Sequence, residues 1–231
     1  MNCVILQPSY IPWRGFFHLI QRADTFVFYD DVQYDKHGWR NRNRIKTAQG
    51  TIWLTIPVVT TGVQAQAIPI KDVRFVAGSN WKEKHLRSLL QNYAKAPFTK
   101  SYVPLLESLY AQPTDSLADL TIAFTIALAR ELGINHTRFL RSSSLPHSGE
   151  KTDRLISILQ HLGAKHYISG PSARSYIEAD KFARAGISLE YINYDYAAYP
   201  QLHGSFDPQV SILDLLFMTG PDAAKHIWHQ P

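Results

Sequence analysis

A single cysteine, Cys3, stands in a chain of 231 residues, so an intrachain disulfide framework is excluded and a reducing compartment is expected. No apolar run approaches the roughly 18 to 20 residues that a membrane-spanning helix needs. The opening "MNCVILQPSYIP" lacks the basic start and the long apolar stretch of a secretory signal, so a cytoplasmic protein with no membrane span is expected. Charge leans only modestly to one side, with 24 lysines and arginines against 19 acids, a formal net charge of +5. That balance favours an anionic small molecule as partner. It comes without the long basic tail that carries non-specific nucleic-acid binding, and nucleic acid is not the expected partner. Common signatures are missing too: there is no G-x-G-x-x-G, no Walker phosphate loop, no H-E-x-x-H and no G-x-S-x-G. One cysteine and scattered histidines make no recognised zinc spacing, so no metal site is assigned. Function has to be read from less familiar groupings.

What is present is an ordinary core-forming composition, 45% hydrophobic and 19% charged, with twelve tyrosines and five tryptophans. "CVILQ" reads as a buried strand closed by Pro8, and "RGFFHLIQRA" places Phe16, Leu19, Ile20 and Ala23 on one helical face. "DTFVFYDD" is a second apolar strand, completing a βαβ opening with parallel strands. "TIWLTIPVV" is a third strand candidate. Three helical patterns follow, and the last has Ser116 as N-cap and Gly133 as stop. "TRFLRSS", "HYISG" and "ISLEYIN" read as further strands, alternating with the helical patterns "EKTDRLISILQHLGA" and "ARSYIEADKFARAG". The tail "SILDLLFMTGPDAAKHIW" closes in one or two helices. This cadence predicts an α/β fold with a parallel-sheet, Rossmann-like core. No linker divides the chain, so residues 1–231 are expected to form one domain with a helical insertion or cap at about 79–133.

Four groupings carry candidate chemistry. The loop after the first strand holds Gln7, Ser9, Tyr10, Trp13 and Arg14, with Gly15 opening the helix, where open α/β sheets bind ligands. The second, "YDDVQYDKHGWRNRNRIK", joins an acid pair, Asp30 and Asp31, to Gln33 and Trp39. The pair could hold Mg²⁺ or accept hydrogen bonds from an amine or sugar hydroxyls. Arg40, Arg42, Arg44 and Lys46 follow at every second position around Asn41, so a strand would align them in one row able to grip a diphosphate. An edge strand whose charges deter aggregation, or simple acid–base pairing, is the plainer reading. In the third, Ser169, Gly170 and Ser172 lie at a strand-to-helix turn, with Arg174 and Tyr176 beyond, as a second anion site. The fourth collects Tyr199, Gln201, His203 and Asp207 before an apolar helix. Inside that helix Asp214 needs a partner, for which an arginine is expected.

These groupings, in this order, resemble the WbqC-like protein family. The likeness is carried by "LQPSYIPWRGFFHLI", "ADTFVFYDDVQYDKHGWRNRNRIKT", "TDRLISILQHLGAKHYISGPSARSYI" and "YPQLHGSFDPQVSILDLLFMTG". The resemblance runs essentially full length, with little of it in the helical middle. It implies a place in bacterial surface-polysaccharide (O-antigen, lipopolysaccharide) biosynthesis and a glycine- or amino-acid-transferase role. The first fifty residues are also faintly similar to the HIGH-type nucleotidyltransferases and pantothenate synthetase, which implies a nucleotidyltransferase-like core. Trp13 and Phe16 stand where that superfamily has its two histidines, and Gln33-Tyr34 would match its Gln-aromatic pair. The expectation is a transferase that attaches an aminoacyl or acyl group to a nucleotide-activated amino sugar. Asp30 or Asp31 would orient or deprotonate the amine, the cationic row would hold phosphate, and Tyr10, Trp13 and Trp39 would stack on rings. The cofactor stays open. ATP with Mg²⁺ would make the protein an amide ligase, and the missing histidines leave a non-catalytic nucleotide-sugar binding protein as the alternative.

Overall fold

The chain begins in β1 (Asn2–Leu6), an apolar strand that ends just before Pro8, which has no N–H to give a ladder. A loop bent at Tyr10 and Ile11 leads into α1 (Arg14–Arg22), and β2 (Thr25–Phe28) follows at once. The computed structural model describes residues 1–36, 38–59 and 67–228. Within them come β3 (Arg42–Thr47), β4 (Gly50–Thr55), α2 (Trp81–Asn92), α3 (Thr99–Tyr110) and α4 (Leu117–Glu131). Then follow β5 (Arg138–Arg141), α5 (Lys151–His161), β6 (His166–Ser169), α6 (Ala179–Arg184), β7 (Ser188–Tyr191) and α7 (Ile212–Thr219).

Five strands form one sheet in the order β5-β2-β1-β6-β7, and every neighbouring pair is parallel. Alternation along each strand explains why both faces are covered. Val4, Phe26, Phe28 and Ile168 join the core built with α1, the three middle helices and α7. Cys3, Ile5, Val27 and Tyr167 point the other way, to α5 and α6. A sheet buried on both faces needs apolar residues at successive positions, which is what the short runs in the sequence supply. Burial also pushes the Cys3 thiol up to about 12, so it is a packing residue and not a nucleophile at neutral pH.

The topology fixes where a ligand can enter. From β1 the chain moves outward to β2, and β5 then adds outside β2. It next crosses to β6 on the opposite side of β1 and continues to β7. Connections therefore leave β1 and β6 in opposite directions, which opens a crevice beyond their carboxyl ends.

The last of the middle helices, α4, starts and stops as expected. Ser116 accepts the Asp119 N–H, and Gly133 follows α4 at φ +78°. The buried residues of the three middle helices, including Leu89, Leu106 and Phe124, share one cluster with Val4 and Phe26. Three details differ from expectation. β3 and β4 form a separate antiparallel hairpin, not part of the sheet. "ARSYIEADKFARAG" is helical only over α6, and the stretch Pro171–Ser175 ahead of it is a 3₁₀ turn. Asp214, fully buried in α7, is met by no arginine among the described residues: Tyr93 and Tyr199 donate their phenols to it at 2.7 and 2.8 Å. Burial is the chief force raising its carboxyl, and the two phenols oppose it.

Candidate functional site

A cavity of about 1090 Å³ occupies the crevice. Leu6 and Gln7 from the end of β1 and Ser169 and Gly170 from the end of β6 form its floor. One wall is the loop into α1, held in an unusual shape. Ile11 sits at φ +36°, a left-handed backbone that a β-branched residue adopts only at a cost of order 1–3 kcal/mol. Asn43, buried on β3, pins it by donating Nδ2 to the carbonyls of Tyr10 (3.1 Å) and Ile11 (2.8 Å). This turn sets the start of α1 against the cavity, where Trp13 and Arg14 line it.

Gly15 has a packing reason. A Cβ there would lie 2.4 Å from the Trp13 indole, which folds back over the first turn of α1. Tyr194 meets that indole edge-on at 4.8 Å, and Tyr196 lies 6.2 Å away. Both tyrosines belong to the long irregular segment between β7 and α7, which covers the cavity together with Phe206, Pro208 and Gln209. An irregular loop of that length over a crevice is where function concentrates.

The cationic row is real as a strand and different as a site. Arg42, Arg44 and Lys46 alternate along β3, with Asn43 and Ile45 buried on its other face. Arg42 stacks on Trp53 at 4.4 Å, outside the cavity. Arg44 is taken by the covering loop, donating to the Gln209 carbonyl (2.8 Å) and lying 3.6 Å from Asp207. Lys46 is buried and donates to Gln201 Oε1 (3.1 Å) and the Ser205 carbonyl (2.5 Å). Arg44 and Lys46 therefore fasten the loop to the hairpin. Only Arg40, just before the strand, reaches the cavity. It donates to the Gln7 carbonyl (3.2 Å) and lies 3.3 Å from Asp35. Burial works against its charge and Asp35 restores part of it.

The acid pair is likewise occupied. Asp30 is wholly buried, with Arg141 at 2.6 Å, the Ser143 N–H at 3.0 Å and the Ser143 hydroxyl at 2.9 Å. Asp31 accepts from Ser142 (2.5 Å), His147 (2.7 Å) and Arg154 (2.9 Å). Burial alone would raise the Asp31 carboxyl, but these three donors bring it below the usual carboxylate value. With their oxygens so engaged, Asp30 and Asp31 fit neither a Mg²⁺ ion nor an incoming amine. Gln33 is exposed and bridges to Pro69, away from the cavity. None of the three expected catalytic residues lines the site.

Of the expected substrate contacts, Gln7, Ser9, Trp13, Trp39, Arg40, Ser169, Gly170, Ser172 and Tyr176 are brought together around the cavity. The others lie elsewhere for identifiable reasons. Tyr10 is fully buried, hydrogen-bonded to Tyr110 and to His85 (2.9 Å), so it cannot stack on a ligand. Asn41 is buried and donates to the Ile56 carbonyl, tying the hairpin together. Arg174 stacks on Tyr191 at 4.4 Å. Tyr199 serves Asp214, and Gln201 donates to Tyr199. Sequence reasoning missed Tyr29, Asp35, Asn43, Tyr194, Asp195, Tyr196 and Phe206, all of which line the cavity. The four tyrosines within residues 191–199 were the readable signal.

Trp39, on the cavity lining, and Trp53, beyond it, are both exposed, with ring centres 5.1 Å apart. Among the described residues no group of three or more His, Cys, Asp or Glu is placed to hold a metal ion. No helix among them is long and apolar enough to cross a membrane.

Fold and crevice together define an open α/β protein, its parallel sheet covered on both faces, with a cavity at its topological switch point. The chain belongs to the WbqC-like protein family, whose sequence model matches residues 7–226. It is 41% identical over 225 residues, 96% of each chain, to an uncharacterized protein, Rv1507c, of Mycobacterium tuberculosis (strain ATCC 25618 / H37Rv). No solved structure matches it.

Proposed function

We propose that the chain binds a nucleotide-activated amino sugar in the switch-point cavity and transfers an aminoacyl or acyl group to its amine. The observation that carries this reading is the cavity itself: about 1090 Å³, with aromatic rings on its walls and Arg14 and Arg40 at its edge. That volume suits a ligand larger than a single sugar, and the rings suit a base or a pyranose face. In this reading Arg40, which lines the cavity, holds the phosphates. The role first given to Asp30 and Asp31 passes to Asp195, which lines the cavity, is exposed, and has no ion pair among the described residues. In the reaction the amine gives its proton to Asp195, its nitrogen bonds to the acyl carbon, and the acyl group's former carrier leaves with the electron pair. The donor is an activated acyl group, either an acyl phosphate or an aminoacyl carrier. Surface-polysaccharide synthesis is the setting that membership of this family supports.

One observation favours a second reading, a nucleotide-sugar binding protein without turnover: the acid pair nearest the sheet edge is occupied by protein donors. The purified protein, incubated with nucleoside-diphosphate amino sugars and activated acyl donors, separates the two. Amide product is expected, with the rate falling about 10²–10⁴-fold in Asp195→Asn while affinity for the sugar nucleotide holds. Tight binding with no product from any donor would establish the binding protein.

A further inference from the structure

Arg14 is a buried charge with no carboxylate partner among the described residues. It is 4% exposed, and its guanidinium lies among three rings, 4.7 Å from the centre of Tyr196, 5.3 Å from Tyr199 and 5.6 Å from Phe206. Its partners are two backbone carbonyls, Ala197 (2.9 Å) and His226 (3.1 Å), both reached by Nη1. Nε is buried with no hydrogen-bond partner. Arg22, Arg40, Arg44, Arg74, Arg141 and Arg154 each lie within 4 Å of a carboxylate; among the described residues Arg14 has none. Arginine cannot escape by losing its proton, because its intrinsic basicity is too high. A buried charge left uncompensated is strongly unfavourable, and partial compensation by ring faces does not replace an anion.

The location supplies a second, independent reason. Arg14 is the first residue of α1, a helix of nine residues whose first turn carries no acid and whose N-cap, Trp13, offers no side-chain acceptor. The positive end of the helix and the guanidinium therefore act together, and both border the cavity. Arg40 differs, since Asp35 already offsets part of its charge.

We infer that Arg14 and the opening turn of α1 form a subsite for one anionic oxygen group of the ligand, a phosphate or a carboxylate. This deepens the proposed function, and it rests on the cavity being the ligand site. The ring cage excludes water around the guanidinium, which strengthens a charge-assisted bond to the incoming oxygen. The substrate then supplies the negative charge that no carboxylate among the described residues brings to Arg14.

Thermal unfolding of the full chain tests this, with inorganic pyrophosphate, inorganic phosphate and acetate as probes. Wild type is expected to gain stability saturably with at least one probe. If phosphate and pyrophosphate act and acetate does not, the group is a phosphoryl group; the reverse order identifies a carboxylate. Arg14→Lys keeps the charge but loses the fork, and should weaken the effective probe at least tenfold. In Arg14→Met the saturable shift should disappear, leaving only the general salt effect. Should Arg14→Met fail to fold, the lysine variant decides alone. Equal probe affinity in wild type and Arg14→Lys, or no saturable shift in wild type, would overturn the subsite. A nucleotide sugar that still stabilises both proteins equally would overturn it while leaving the cavity reading intact.

Discussion

At the scale of single residues, burial decides which groups are free to act. His85 lies under the site, accepting from or donating to the Tyr10 hydroxyl, and burial is the main force lowering its imidazole to about 4 from an ordinary 6.5, against a backbone bond at Thr55. The folded protein therefore holds it neutral. Below pH 6.5 the unfolded chain takes up a proton that the folded chain refuses until about pH 4. Stability from this residue is fully present above pH 6.5 and drains away between there and pH 4, by about 3 kcal/mol in all. Urea unfolding at pH 7 and pH 4.5 should show this loss in wild type and a markedly smaller one in His85→Gln; an unchanged loss in the variant would contradict the assignment. Asp31, with its carboxyl below the usual value, adds a separate acid-dependent loss at lower pH.

At the scale of elements, the lesson is how much of each role depends on partners far away in sequence. The alternating pattern correctly marks a strand from Arg42 to Lys46, though not at Arg40, because side-chain alternation is a local property. What the strand faces is not local. β3 pairs with β4 outside the main sheet, and its cations meet Gln201, Ser205, Asp207 and Gln209, more than 150 residues away. The same distinction covers Asp30 and Asp31, whose place at the end of β2 was legible while Arg141, Ser142, His147 and Arg154 were not. Gln7, Ser9 and Trp13 were readable because strand-end loops in parallel sheets lead to the ligand crevice whatever their detail. Asn43 was hidden between arginines, yet it holds the strained turn at Ile11 that aims α1 at the cavity. Asn43→Ala should cost about 1–3 kcal/mol, since two buried carbonyls lose their donor. It should also weaken ligand binding, measurable by calorimetry; a variant that binds as wild type would show the turn to be unimportant for the site.

At the scale of the whole molecule, the fold was legible from the alternation of apolar strands and amphipathic helices, which sets a doubly covered parallel sheet. The order of its strands was not, and that order is what places the crevice between β1 and β6. Four separate parts of the chain converge there: the loop into α1, the approach to the β3–β4 hairpin, the turn that follows β6, and the segment between β7 and α7. The middle helices contribute to the core beneath. The central claim is that this crevice is the ligand site, and amide hydrogen exchange with and without a saturating nucleoside-diphosphate amino sugar tests it most directly. Slowed exchange is expected within residues 7–16, 38–43, 169–176 and 194–209, with α2 and α3 unchanged. Protection confined to α2, or to the outer face of the hairpin around Arg42 and Trp53, would contradict it.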